Sequence, residues 1–194
     1  MKNKIIKITG ILCAISFLNG CTALVVGGVA AGATSGAAVA NDPRSSDGVF
    51  SDQDLRSKVS DAIDATVPGN NVEVTSYDHN ILLTGQVISP DNKSKAESMA
   101  LQVPTVKKVY NYITIGKSQS TTQSSKDAYL TSVIKSNLLF SKGISSNDVK
   151  VVTSNSVVYL MGMVDPYQAK RMTQAAREVD GVKQVVTLFE YVSE

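Results

Sequence analysis

Leu82-Leu83-Thr84-Gly85-Gln86-Val87 returns 77 positions later as Tyr159-Leu160-Met161-Gly162-Met163-Val164. The two stretches share an apolar run, a glycine in the same place and a closing valine. Their surroundings repeat as well. Val72-Glu73-Val74 precedes the first and Val149-Lys150-Val151 the second, at the same offset. Pro90 and Pro166 follow them. Then come Val106-Lys107-Lys108-Val109 and Val182-Lys183-Gln184-Val185, now 76 apart, while upstream Leu55, Val59 and Ile63 match Leu130, Ile134 and Leu138, 75 apart. Offsets that drift by a residue are what changes in loop length produce. Two copies are too few for a solenoid, whose core needs three or more repeats. The chain therefore reads as two compact modules.

Each copy has the same order. Apolar residues at i, i+4 and i+8 give a first helix. A short strand follows, over 72–76 or 149–153, then a polar turn (Tyr77-Asp78-His79-Asn80 or Ser154-Asn155-Ser156) and a second strand that ends near the glycine. A proline suits the first turn of a second helix. Its inward face is Ala96, Met99, Ala100 and Val103 in one copy, and Met172, Ala175, Ala176 and Val179 in the other. A last strand covers 108–115 or 184–192. The tight turn pairs its strands antiparallel, and the helical crossover returns the last strand in parallel. The predicted fold class is α+β: α-β-β-α-β twice, each a three-stranded mixed sheet with two helices on one face. About 65 residues make a marginal core, so docking of one module on the other is expected to contribute stability.

The N-terminus has a different grammar. Lys2, Lys4 and Lys7 form a basic head, Ile8 to Leu18 is an apolar run broken by Thr9, Gly10 and Ser16, and Leu18-Asn19-Gly20-Cys21 closes it. This is the layout of a secretory signal with a cysteine at the cleavage point. The run is shorter than the roughly 20 apolar residues a spanning helix needs. Leu18, Gly20 and Cys21 resemble the bacterial lipobox, although Asn19 stands where a small or aliphatic residue is usual. The resemblance implies that Cys21 is the lipidation site and the first mature residue. Thr22, not Asp, follows it, which implies export to the outer membrane and a periplasmic face. One acyl chain holds a protein only marginally, at about 0.8 kcal/mol per buried CH₂, and several make attachment effectively permanent.

Removing residues 1–20 changes the charge. The chain has 19 Lys+Arg against 17 Asp+Glu, and losing Lys2, Lys4 and Lys7 leaves 16 against 17, a net of −1. A near-neutral protein is a poor general binder of nucleic acid, where Lys and Arg must neutralise phosphates. Cys13 leaves with the signal and Cys21 carries lipid, so no pair remains for a disulfide. Between signal and modules lies a stretch rich in Ala, Gly, Val, Ser and Thr. Gly27, Gly28, Gly32 and Gly36 each weaken a helix there by about 1 kcal/mol, and Asn41 to Gly48 is turn chemistry. As a coil this tether spans on the order of 30 Å. The expected organisation is a signal over 1–20, a lipidated tether over 21–49, and modules over 50–118 and 119–194.

Catalytic chemistry is sparse. His79, the single histidine, lies beside Asp78 and invites a general-base reading, but no serine sits in a nucleophile elbow. One histidine and no free cysteine fall short of a metal site. The glycines of the tether lack the Lys-Ser/Thr of a phosphate loop. Asp52, Asp54, Asp61 and Asp64 read as a solvated acidic face near a helix start, where the dipole favours them. The expectation is no enzyme, no metal and no cofactor.

The pattern V-x-V, turn, V-x-L-x-G-x-V, helix, G-V-x-x-V is met twice, with Thr105 in place of the last motif's glycine in copy one. It resembles the BON domain. With the lipobox and tether, residues 1–194 as a whole resemble the dual-BON-domain outer-membrane lipoproteins. That family usually has glycine in the hairpin turn, where this chain has His79 and Ser156. Glycine serves φ > 0 there. His79, Asp78, Asn80 and Asn155 tolerate left-handed backbone moderately, so the turn is expected to survive with strain or a changed type.

The copies differ on their first helices. In copy two, Tyr129, Val133 and Phe140 form a stripe beside the core line, with Ser136 between them. Copy one has Asp54, Lys58, Asp61 and Ala65 at those places. Tyrosine suits a bilayer interface, with an apolar ring and a polar tip. Lys126, Lys135 and Lys142 accompany it, each worth about 1 kcal/mol near an anionic surface. The expectation is a helix from about Asp127 to Ser141 that docks on anionic phospholipid through Tyr129, Val133, Ser136, Phe140, Lys126 and Lys135. The alternative is that the stripe completes the core or packs on copy one, as amphipathic helices commonly do. The resemblance implies lipid binding by the second module, support of outer-membrane integrity, and a role near outer-membrane protein assembly and division sites. A protein-interaction adaptor for that machinery is the rival reading. The acidic first helix of copy one would be repelled by an anionic bilayer.

Overall fold

A computed structural model describes residues 46–139 and 149–192, with side chains from residue 51 onward. Cys21, Phe140 and Lys142 lie outside the described residues. The first module runs α1 (Ser46–Thr66), β1 (Asn71–Tyr77), β2 (Asn80–Val87), α2 (Pro90–Gln102), β3 (Lys108–Asn111) and β4 (Thr114–Ile115). The second runs α3 (Thr121–Leu139), β5 (Val149–Ser154), β6 (Val157–Val164), α4 (Pro166–Arg177) and β7 (Gln184–Tyr191). The α-β-β-α-β order holds in both, with the last strand of the first module interrupted at Tyr112 and Ile113.

In each sheet the second strand is central. β1 pairs antiparallel with β2, and β3 and β4 run parallel to β2. β5 pairs antiparallel with β6, and β7 runs parallel to it. Pro90 and Pro166 open their helices as expected. Ser89 caps α2 through the Asn92 N–H, and Asp165 with Gln168 forms a capping box on α4. Gly85 sits at φ +97, and a Cβ there would fall 1.9 Å from the Asn71 carbonyl oxygen. This is why glycine stands in that place of the first repeat.

The helix side of each sheet carries a core. Leu55, Val59 and Ile63 of α1 meet Ile81, Leu83 and Ile113, and Ala96 and Ala100 of α2 close the layer. Leu130, Ile134 and Leu138 of α3 meet Val158, Leu160 and Val164, with Met172 and Ala176 of α4. The opposite sheet faces are apolar as well, and they face each other. Tyr77 and Leu82 pack with Tyr159, Met161 and Leu188, and the rings of Tyr112 and Tyr159 lie 4.9 Å apart at 55°. Asn80 Nδ2 donates to Glu190 Oε1 at 2.6 Å, and Lys150 Nζ to the Ser76 carbonyl at 3.3 Å. The modules therefore dock sheet on sheet, giving layers α/β/β/α.

Burial in that contact pushes the Tyr159 phenol up to about 12, with the neighbouring Tyr112 adding to it.

Two expectations are corrected. The helix expected from Asp127 begins six residues earlier, at Thr121. Ser120 starts it: its hydroxyl accepts from the Gln123 N–H and its carbonyl from the Ser124 N–H. The Ser/Thr run ahead of Asp127 is a capped first turn. The second correction concerns Asp52, expected on a solvated acidic face. It is 4% exposed, for a reason that lies in the hairpin opposite.

Candidate functional site

Both hairpins turn through two residues with left-handed backbone and no glycine: Asp78 (φ 46) and His79 (φ 63), Asn155 (φ 53) and Ser156 (φ 65). Two positive φ values are the signature of a type I′ turn, whose twist matches the strands. Such a turn aims its N–H groups at the first helix. Asp52 Oδ2 accepts from the Asp78 N–H at 2.7 Å, and Oδ1 from the His79 N–H at 2.8 Å and the Ser76 hydroxyl at 2.7 Å. In the second module Asp127 accepts from the Asn155 and Ser156 N–H groups, each at 2.8 Å, and from the side-chain amides of Gln119 and Gln123. The buried carboxylates compensate for the missing glycines, because charge-assisted bonds to backbone N–H groups are among the stronger ones.

His79 is held by its turn. Its Nε2 lies 3.1 Å from Ser51 Oγ, but Nδ1 is 4.0 Å from Asp78 Oδ1. The other Asp78 oxygen accepts from Lys107 Nζ at 2.7 Å. That hydrogen bond is the main reason the Lys107 amine sits above its usual 10.5. A hydrolytic triad needs a carboxylate bonded to Nδ1 and a serine presented to substrate. Here the carboxylate is engaged by a lysine. Among the described residues no cluster of His, Cys, Asp or Glu could hold a metal ion.

The aromatic helix is arranged differently. Asp127, Leu130, Ile134 and Leu138 are its buried line. Tyr129 is 65% exposed and Leu139 64%, and Ser132 and Ser136 are exposed between them. At 3.6 residues per turn these four fall within about 80° of one another, opposite the buried line. Lys126 and Lys135 are exposed on either side of that band. Val133 does not belong to it. It is half-buried and packs on the second module's core, because four residues on from Tyr129 the helix has turned back toward the buried side. Leu139 was missed from sequence; its i+10 spacing from Tyr129 puts it on the same face.

The first module's helix offers no such band. Asp54, Lys58, Asp61, Asp64 and Ala65 are exposed, and Lys58 pairs with Asp54 at 2.6 Å. Of Asp52, Asp54, Asp61 and Asp64, Asp52 alone turns inward.

The BON domain model matches residues 51–117 and 126–193. The outer membrane lipoprotein DolP of Haemophilus influenzae is 37% identical over 189 residues, 96% of either chain. The 21 kDa hemolysin of Actinobacillus pleuropneumoniae is 32% identical over 154 residues, 78% of this chain and 79% of that one. Among solved structures, CdsD of the Chlamydia trachomatis type III secretion system overlaps 72% of this chain and 92% of that chain, at 14% identity and a TM-score of 0.30. Two matches that together cover more than half of the chain, with the duplicated α-β-β-α-β layers, make this chain a two-module member of the BON-domain family.

Proposed function

We propose that the protein is an outer-membrane lipoprotein that faces the periplasm, is anchored through acylated Cys21, and binds anionic phospholipid through α3 of its second module. The observation that carries the lipid reading is the exposure of Tyr129, at 65%, on a band it shares with Leu139. Lys126 and Lys135 flank it. An exposed ring with a polar tip suits the headgroup level of a bilayer, and each flanking lysine adds about 1 kcal/mol near an anionic surface. The relative named as an outer membrane lipoprotein supports the location, and the lipobox-like Leu18-Asn19-Gly20-Cys21 supports the anchor. The contact would support the integrity of the outer membrane by binding, without catalysis.

The test is co-sedimentation of residues 50–194 with vesicles. That fragment keeps every residue of both cores. It is expected to bind phosphatidylglycerol vesicles, to ignore phosphatidylcholine ones, and to lose binding in Tyr129→Asp. Equal binding by Tyr129→Asp and the unaltered fragment would overturn the lipid reading. A mature full-length chain whose mass lacks acyl groups on Cys21 would overturn the anchor.

A further inference from the structure

Strand edges expose unpaired N–H and C=O groups, and folded proteins normally cover them. On two of the four edges here side chains already take up outward backbone groups, and a third faces the first module across a groove. On β1, Arg56 Nε donates to the Val74 carbonyl at 3.0 Å and Lys150 Nζ to the Ser76 carbonyl. On the β3–β4 edge, Asn111 turns its Oδ1 onto the Ile113 N–H at 3.2 Å. β5 faces the first module across a groove shared with α3 and Gln119.

β7 is different. It is eight residues long, uninterrupted, and paired with β6 alone. The Val192 N–H donates to the Val164 carbonyl, and the register is constant along the strand. By alternation the backbone of Leu188 and Glu190 points to β6, and that of Thr187 and Phe189 points away. Among the described residues nothing meets those outward groups.

Beside this edge runs a groove of about 330 Å³ between α4 and β7, with Ala169, Lys170, Thr173 and Arg177 on one wall and Phe189 and Tyr191 on the other. Thr173, Gln174 and Thr187 line it beside the rings of Phe189 and Tyr191, and its charges are positive. Neither Lys170 nor Arg177 has an ion-pair partner among the described residues. Pairing β7 with β7 of a second copy would set Lys170 and Arg177 against the same residues, like charge on like.

We propose that β7 accepts an extended, acidic peptide segment of a partner protein, which adds a fourth strand to the second module's sheet and sets carboxylates against Lys170 and Arg177. Main-chain bonds would supply affinity and the groove would supply selection, the usual division of labour in strand addition. The proposal is independent of lipid docking, which uses a different helix.

The test uses the full chain in nonionic detergent. The probe is a fluorescein-labelled eight-residue peptide alternating Glu with Val and Thr, read by anisotropy. The result expected is saturable binding, weakened about tenfold or more by Lys170→Glu with Arg177→Glu. Thr187→Pro should abolish it, because proline removes an outward N–H and is tolerated on an edge strand. The same peptide N-methylated on alternate amides should not bind, which keeps the test independent of whether Thr187→Pro folds. No binding, equal binding of a Lys-for-Glu peptide, or full binding of the N-methylated peptide would overturn the proposal. So would a dimer by sedimentation that Lys170→Glu with Arg177→Glu strengthens, since that assigns the edge to a second copy.

Discussion

Asp127 stands where Asp52 stands, one module later, and each carboxylate accepts both N–H groups at the tip of its own hairpin. The repeat thus extends to a polar bond between the first helix and the β-turn. It makes helix, turn and sheet one unit, because the turn's left-handed backbone is held from outside the turn.

Removing either carboxylate strands two N–H groups in the protein, at about 1–3 kcal/mol for each buried unsatisfied group. Asp52→Ala and Asp127→Ala should each destabilise the fold by about 2–4 kcal/mol in urea unfolding. Asp78→Gly with His79→Gly should recover part of the loss in Asp52→Ala, because glycine relieves the positive φ. No recovery would mean the carboxylate does not support the turn's conformation.

Thr105 holds φ +74 where the second module has Gly181 at φ +96. A left-handed threonine costs about 1–2 kcal/mol, and glycine returns up to about 1 kcal/mol of that through the freedom of the unfolded chain. Thr105→Gly should therefore raise the midpoint of thermal unfolding modestly. A lower midpoint would show that the side chain contributes more than its strain costs.

Tyr159 gives the fold an alkaline limit. Its folded pKa of about 12 lies above the ordinary value near 10, so the unfolded chain releases this proton first. Stability from this group is complete below about pH 10 and is lost as pH rises toward 12. Urea unfolding at pH 9 and pH 11 should show a drop that is smaller in Tyr159→Phe. An equal drop in both would place the alkaline sensitivity elsewhere.

The two kinds of residue on α3 should separate experimentally. Leu139→Ser should weaken binding to phosphatidylglycerol vesicles with little effect on stability, because its side chain is exposed. Val133→Ala should do the reverse, costing about 1 kcal/mol through lost core contact while binding is retained. If Val133→Ala abolishes binding in a fully folded fragment, the band has been drawn on the wrong side of the helix.

Much of this fold was legible because apolar spacing repeats: Leu55, Val59 and Ile63 and their partners Leu130, Ile134 and Leu138 fixed two helices and the phase of their buried faces. Asp52 was not legible. An acidic residue near a helix start reads as a partner of the helix dipole, and only the hairpin's need for acceptors explains its burial. The signal was present in two separate places, a turn without glycine and an aspartate repeated at the helix offset. The start of α3 was missed because Ser and Thr serve caps and linkers alike. The docking of sheets was foreshadowed by β6, whose run is apolar on both faces, as buried strands are. The core line of α3 was legible too, but whether Tyr129 met solvent or the first module was not, and its 65% exposure decides that.

Stacking the sheets has a consequence for recognition. Tyr77, Leu82, Tyr159, Met161 and Leu188 are spent on one another, so neither broad strand surface is on offer to the envelope. Among the described residues, the helical flanks and strand rims are what remains for a partner to meet. Prising the halves apart would uncover a greasy, tyrosine-rich seam that no folded protein could leave wet for long.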